Sequence, residues 1–365
     1  MIDAPESWSK PWDADPQVLS PVGQPIADLL ARRERRQALP GFEPIYSDIV
    51  DYILHCTHRI WEEKNIGLCR THYAEGCPMI TLGGPTMGAE EVVRNTLVSI
   101  AGSPDRSPIG EDVIWSEDAP GVFLSSHRIT SLATLAGDDP MLGRANGRRR
   151  GVRVIADCLC RDNLIVEEWL VRDNVQLARE NALDPHRLAE QQAVADKAGD
   201  PARHGWRAGV IERVRSEPAR CPLADHPAAA VAAALDLAFN HDLFGEAAQI
   251  CADSIEVWWP SGRHSFGRGG WIGCLIQLRA GLHDAKWSLD HWAARPLPDG
   301  EVAVALRWWL TGRHLVSGQW GDATGKDLLV LGISHYRLRA GRLIEDVTVY
   351  DELAILRQVK GGIGA

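Results

Sequence analysis

A chain of 365 residues exceeds one typical domain and suits two, with connecting segments. Its content, 45% hydrophobic and 24% charged, is that of an ordinary globular protein and supplies apolar material for two cores. A formal net charge of −10 argues against a nucleic-acid or anionic-membrane partner, and no stretch approaches the roughly 20 apolar residues of a membrane span.

Residues 1–8 are polar and acidic and lack the basic flank and apolar core of a secretory leader. Residues 1–44 read as an N-terminal arm: prolines at 5, 11, 16, 21 and 25 precede the charged run Arg32-Arg33-Glu34-Arg35-Arg36, expected on the surface or on a partner subunit. From residue 45, Ile49, Ile53, Cys56 and Ile60 fall on one helical face. A second amphipathic turn ends at Tyr73, a short strand covers 77–82, and Gly83-Gly84-Pro85 closes it. A helix from Gly88 is expected to bury Val93, Leu97 and Ile100, and strands follow over 113–116, 122–130, 152–160 and 164–171. Asn146-Gly147 marks a turn between two of these strands. Asp184-Pro185 supplies a cap and a first-turn proline for a helical linker over 181–224, which Gly199, Pro201 and Gly205 should break.

The segment 225–358 repeats 45–180. Ile165-Val166-Glu167-Glu168-Trp169-Leu170-Val171-Arg172-Asp173 returns as Leu343-Ile344-Glu345-Asp346-Val347-Thr348-Val349-Tyr350-Asp351, 178 positions on (345 − 167). Tyr73-Ala74-Glu75 and Cys251-Ala252-Asp253 keep that offset, as do the turns at Asn146 and Thr324. Only the middle strands slip, where Val122 best matches Val304. Each half reads helix, helix, strand, helix, then three or four long strands, which defines an α+β class in tandem copies. Residues 359–365 are left as a C-terminal tail.

The run Gly332-Ile333-Ser334-His335-Tyr336-Arg337-Leu338-Arg339-Ala340-Gly341-Arg342-Leu343-Ile344-Glu345-Asp346 resembles the signature of SnoaL-like polyketide cyclases, within the nuclear-transport-factor-2-like superfamily. Residues 304–314 upstream and 164–169 in the first half resemble the same family. The resemblance implies two tandem cone-shaped domains, each a curved antiparallel sheet wrapped by its N-terminal helices (a cystatin-like α+β barrel). The superfamily hosts cyclases, isomerases, dehydratases, hydrolases and binding proteins, so function rests on the site. There the chain departs from the family. The cyclase acid/base aspartate maps to Leu170 and Thr348, and its frequent histidine partner to Ala156 and Ser334. The tyrosine of the related ketosteroid isomerases maps to Thr57 and Leu235, and their base aspartate to Thr81 and Trp259.

Strand alternation narrows the candidates. If position 348 faces a pocket, so do Asp346 and Tyr350, and Glu168 and Arg172 in the first half; Glu167, Trp169, Glu345 and Val347 turn toward packing between domains or subunits. A carboxylate at 168 or 346 inside an apolar cone would have its pKa raised by desolvation, as a general base near neutral pH requires; the alternative is a rim carboxylate paired with an arginine such as Arg172. His127, mid-strand and matched to Trp309, is either half of a proton-shuttling pair with Glu168 or a core histidine. Eight of the 14 tryptophans lie in the second half. The adjacent pairs Trp258-Trp259 and Trp308-Trp309 must each send one indole inward, either to hold a flat or cationic ligand or to fill the core. Asp157 and His335 sit one residue off the pocket face.

The eight cysteines sit mostly in apolar runs and read as reduced, buried thiols of a cytoplasmic protein. Metal-ligand spacing and a glycine-rich phosphate loop are both missing from the sequence, so neither metal nor cofactor is expected. The expectation is a cofactor-free acid/base protein acting on a small organic molecule by cyclisation, isomerisation or dehydration, with His127 and Glu168 as catalytic residues. Arg172, Trp259, Trp309, Asp346 and Tyr350 are the binding candidates, and the assembly is a homodimer or an intramolecular pseudo-dimer. The alternative is a non-catalytic small-molecule-binding protein with an aromatic pocket in domain 2.

Overall fold

The computed structural model describes residues 25–31, 34–197 and 201–361. Four of the arm's prolines, Arg32, Arg33, Gly199 and the last four residues lie outside that range. Within the arm, α1 (Ile26–Leu30) is a single short helix. The first half then runs α2 (Ile49–Thr57), α3 (Cys69–His72), β1 (Pro78–Thr81), β2 (Gly84–Met87), α4 (Ala89–Gly102), β3 (Ser107–Ala119), β4 (Val122–Thr134), β5 (Arg149–Arg161), β6 (Leu164–Arg172) and α5 (Asn174–Glu180). The linker is α6 (Pro185–Lys197) and α7 (Pro201–Ser216). The second half runs α8 (Ala228–His241), α9 (Phe244–Ala247), β7 (Cys251–Trp259), β8 (Arg263–Phe266), α10 (Gly267–Ala280), β9 (His283–Pro296), β10 (Glu301–Arg313), β11 (Asp327–Arg339), β12 (Arg342–Tyr350) and α11 (Glu352–Val359).

Each half builds a six-stranded sheet, ordered β2-β1-β6-β5-β4-β3 and β8-β7-β12-β11-β10-β9. The α+β class and the tandem repeat are thus as the sequence implies. The sheets are mixed, because β1 runs parallel to β6 and β7 parallel to β12. The long strands are joined by tight turns. Asp162-Asn163 and Ala340-Gly341 take left-handed backbones at all four positions, the geometry of two-residue hairpin loops. The short edge strands β2 and β8 were hidden in sequence, since Gly-Pro-Thr-Met and Arg-His-Ser-Phe show no alternation. Gly205 does not break the linker, because α7 carries straight through it.

The register corrects one expectation. His127 pairs with Ala156, whereas Ser334, the repeat of Ala156, pairs with Leu306. The middle strands are therefore offset by 179 (306 − 127), not 182, and the counterpart of His127 is Leu306 rather than Trp309. The indole of Trp309 had suggested an alignment that the strand pairing does not allow.

Aromatic edges build the first core. Phe42 and Tyr52 meet at 4.9 Å and Tyr46 and Tyr52 at 5.0 Å, with Leu39 and Phe42 buried, so the end of the arm joins the domain. Tyr52 donates to the Asn163 carbonyl at 2.9 Å, tying α2 to the β5–β6 turn.

The outer faces of the two sheets pack against each other. Ile155, Val171, Leu331, Ile333 and Val349 share one cluster there with Val210, Ile211 and Val214 of α7. Polar pairs ring it. Arg128 reaches Glu345 at 3.2 Å, and its repeat partner Arg307 reaches Asp157 at 2.9 Å and Asp290 at 2.6 Å. Ser126 bonds His335 at 2.8 Å, and His291 bonds Asp118 at 2.8 Å. Asp157 and His335 thus lie outside both cones and hold the two domains together.

Candidate functional site

In the second cone the alternation of β12 turns Asp346, Thr348 and Tyr350 inward and Val347 and Val349 outward. The Asp346 carboxylate accepts from the indole N–H groups of Trp259 at 3.0 Å and Trp271 at 2.8 Å, and from the Thr348 hydroxyl at 2.6 Å. Thr348 shares a hydrogen bond with Ser334 at 2.8 Å, and Ser334 accepts from the Trp308 indole at 3.0 Å. Burial pushes Asp346 up to about 6, against those three donors. Tyr350 accepts from Arg263 at 2.7 Å and is fully buried. Trp271, Trp308, Trp320 and Tyr336 complete the packing. Every expected binding group here is engaged by its neighbours.

Trp309 is not in that cone. Trp308 is the inward member of its pair, and Trp309 lies in the inter-domain cluster, 6.2 Å from Trp206, with no hydrogen-bond partner for its indole N–H among the described residues. The aromatic-pocket assignment fails for Trp309 because alternation sends neighbouring side chains to opposite faces. A contrast follows. Trp259→Phe removes a hydrogen bond to a buried carboxylate and should cost about 1.5–3 kcal/mol. Trp309→Phe removes no hydrogen bond and should cost about 1 kcal/mol or less. Urea denaturation of both variants tests this, and equal losses would contradict the assignment.

The first cone differs. On β6, Glu168, Leu170 and Arg172 face inward, while Trp169 and Val171 join the inter-domain cluster. Leu170 and Arg172 remain half-buried, whereas their repeats Thr348 and Tyr350 are 2% and 0% exposed. Glu168 is 6% exposed, and one of its carboxylate oxygens has no hydrogen-bond partner among the described residues. Burial pushes it up to about 7, opposed by a hydrogen bond from the Tyr73 hydroxyl and by the charge of Arg172. Tyr73 is brought there by the parallel bridge between its backbone and Ile165. Sequence reasoning used Tyr73 only as a landmark of the repeat.

His127 also faces this cone and is 2% exposed, with its Nε2 unpartnered. Burial alone holds it down to about 3, so the ring is neutral at pH 7. It is not paired with Glu168. His127 pairs across to Ala156, and Glu168 to Cys158, so β5 lies between them. Two strand spacings put roughly 10 Å between their backbones. Arg172 makes no ion pair with Glu168 either, so the alternative of a rim carboxylate paired with Arg172 is not what the side chains form.

Cys56, Cys77, Cys158 and Cys160 line this cone as buried thiols, pushed up by desolvation and so protonated. Among the described residues no group of histidines, cysteines and carboxylates is placed to hold a metal ion, and no helix is long and apolar enough to cross a membrane.

A cleft of about 290 Å³ lies between the domains beside Arg153, Asp173, Glu180, Trp258 and Arg263. Its acids are already in use. Asp173 accepts from the backbone of Gln176 at 3.0 Å and Ser261 at 2.7 Å, and Glu180 from that of Gly151 at 3.0 Å. Trp258 is stacked on His264 at 3.5 Å.

Comparison with known proteins gives solved structures only: no family model and no curated protein matches the chain. One similar structure is IdmH of Streptomyces antibioticus, described as a candidate polyketide cyclase, 22% identical over 37% of this chain and 98% of its own, with a TM-score of 0.32. A second candidate polyketide cyclase, from Acidithiobacillus ferrooxidans, is 20% identical over 38% of this chain and 98% of its own, with a TM-score of 0.32. A protein of Catenulispora acidiphila with a ketosteroid isomerase-like fold, solved in complex with trimethylamine, is 15% identical over 35% of this chain and 91% of its own, with a TM-score of 0.29. Each solved chain is about two fifths as long as this one and is covered almost whole.

Proposed function

We propose that the first domain carries a cofactor-free acid/base site for a small organic molecule, acting by cyclisation, isomerisation or dehydration. The observation that supports it most is Glu168: a buried carboxyl with an unpartnered oxygen, held near pKa 7, in the cone that leaves Leu170 and Arg172 half-buried. The ionised form of such a carboxyl is a stronger base than an ordinary carboxylate and is still about half populated near pH 7, so it removes a carbon-bound proton next to a carbonyl and becomes the neutral acid. Tyr73 fixes the carboxyl through its hydroxyl. His127 takes a different part from the shuttle expected of it. A ring held down to about 3 carries no second proton at neutral pH, but as a neutral imidazole its one N–H donates a hydrogen bond to an oxygen on which charge develops. The SnoaL-like resemblance of the sequence fits this class of chemistry, with Glu168 in place of the missing aspartate, two residues earlier on the same face.

Proton exchange tests the reading without knowledge of the natural substrate. Deuterium uptake at the central carbon of a panel of β-diketones in D2O, followed by NMR, should be accelerated by the protein. Glu168→Gln should lose at least about 10²-fold of that acceleration, and His127→Phe about tenfold, with unchanged circular dichroism. Exchange at the buffer rate across the panel, or full activity in Glu168→Gln, would overturn it.

A further inference from the structure

The first cone holds more positive charge than its own side chains use. Arg172 enters it from β6 and Arg150 from β5, on the inward face that also carries Val152 and Val154. Arg106 stands just before β3, its guanidinium 5.5 Å from the centre of the Trp61 ring. Lys64 fixes that corner by donating to the carbonyls of Trp61 at 2.5 Å and Arg106 at 2.8 Å. Arg150 is bound into the frame, donating to Ala133 O at 3.2 Å and Ser103 Oγ at 2.7 Å. Arg106 and Arg172 are not. Neither guanidinium makes a hydrogen bond or an ion pair with a described residue, and the Nε of Arg106 is buried without a partner.

Three carboxyls lie near these arginines, Asp139, Asp351 and Glu168, and none of them hydrogen-bonds Arg106 or Arg172. Asp139 lies near all three arginines, but its Oδ1 accepts the backbone N–H groups of Met141 at 2.8 Å and Leu142 at 2.9 Å. Asp351, near Arg172, caps α11 through Ala354 N at 3.0 Å and accepts from Asn174 at 2.5 Å. Burial pushes Arg106 down to about 10, with the charges of Arg172 and Arg150 adding to it, and burial also lowers Arg172. In the second cone the position of Arg172 is Tyr350, so this charge belongs to the first cone alone.

We infer that the ligand of the first cone is a carboxylate-bearing small molecule, its carboxylate held between the guanidiniums of Arg172 and Arg106 and its body against Leu170 and Ile129. This rests on the first cone being the working site and names the class of molecule it takes. Two forked donors match a planar carboxylate, and Glu168 on the same strand disfavours a second negative charge on the ligand.

Benzoate and its neutral isostere benzamide serve as probes in titrations of the full chain followed by ligand-observed NMR. Benzoate should bind at least tenfold more tightly than benzamide. Arg172→Gln and Arg106→Gln should each remove at least tenfold of benzoate affinity and leave benzamide unchanged, and benzamide binding confirms that each variant still holds a folded cone. Glu168→Gln should keep or strengthen benzoate binding. Equal affinity for the two probes, no binding of benzoate, or full affinity in both arginine variants would overturn the inference, and so would displacement of benzoate by an equal concentration of inorganic phosphate. Because binding is read apart from turnover, an inert Glu168 with benzoate still on the arginines would refute the acid/base reading and leave this one standing.

Discussion

Arg307→Leu should cost the chain about 3–5 kcal/mol, the range for removing one partner from a buried ion network. The guanidinium is 5% exposed and bridges Asp157 at 2.9 Å and Asp290 at 2.6 Å. It also lies 3.6 Å from the centre of the Trp169 ring. Asp157 is 1% exposed and pushed up by burial even with Arg307 beside it, while Asp290 is held below the usual carboxylate range by the same charge. Leucine would strand both carboxylates in the interface. The companion variant Arg307→Leu/Asp157→Asn/Asp290→Asn should recover most of the loss, because buried charge rather than the lost contact carries the penalty. An exposed partner gives the control: Asp253 stands 3.1 Å from Arg268 and is 93% exposed, and Asp253→Ala should change stability by no more than about 0.5 kcal/mol. Urea denaturation at one pH compares all three. A loss below about 1 kcal/mol for Arg307→Leu would mean that the network does not hold the domains.

Glu168→Gln should stabilise the protein at pH 8 by up to about 3 kcal/mol while leaving stability at pH 4 nearly unchanged. The sign follows from where the proton sits. The carboxyl's folded pKa of about 7 lies above its ordinary 4.5, so the native state holds this proton more tightly than the unfolded chain does. The associated stability is full below about 4.5 and is lost as pH rises through about 7. Each tenfold of proton affinity is about 1.4 kcal/mol, and the span from 4.5 to about 7 sets the size. Asp346, pushed up to about 6, adds a slope of the same sign at somewhat lower pH, so only the difference between wild type and variant isolates Glu168. Urea midpoints at pH 4 and pH 8 for both proteins supply that difference. Parallel pH dependence would mean that the carboxyl reaches water. A variant more stable and less active would mark Glu168 as a group kept at a cost in stability for its chemistry.

Much of the fold was legible because it is written twice. The phrase ending in Asp173 and Asp351 fixed the repeat, and alternation along β6 and β12 placed Glu168, Arg172, Asp346 and Tyr350 on the inner faces. The site was less legible. Tyr73 reaches Glu168 through a bridge outside any regular strand, and Arg106 lies in a loop 66 residues before Arg172 (172 − 106); no periodicity links such positions. The edge strands β2 and β8 carry no alternation to read. Trp309 misled because a large aromatic outweighed the register, which is set by backbone pairing that a single sequence does not display.

The face-to-face packing of two copies in one chain relaxes a rule that binds ordinary twofold assemblies. When two identical chains meet, each substitution enters both sides at once, so neither a pocket nor a contact can be altered on one side alone. Here Arg128 and Arg307 each pair with the equivalent acid of their own half, Glu111 and Asp290, yet reach different acids across the interface, Glu345 for one and Asp157 for the other. The covalent link keeps the halves together at a high effective concentration, so the interface need not be its own mirror. One half is then free to close around Asp346 with its indoles, while the other keeps Glu168 with an unpartnered oxygen at the same place.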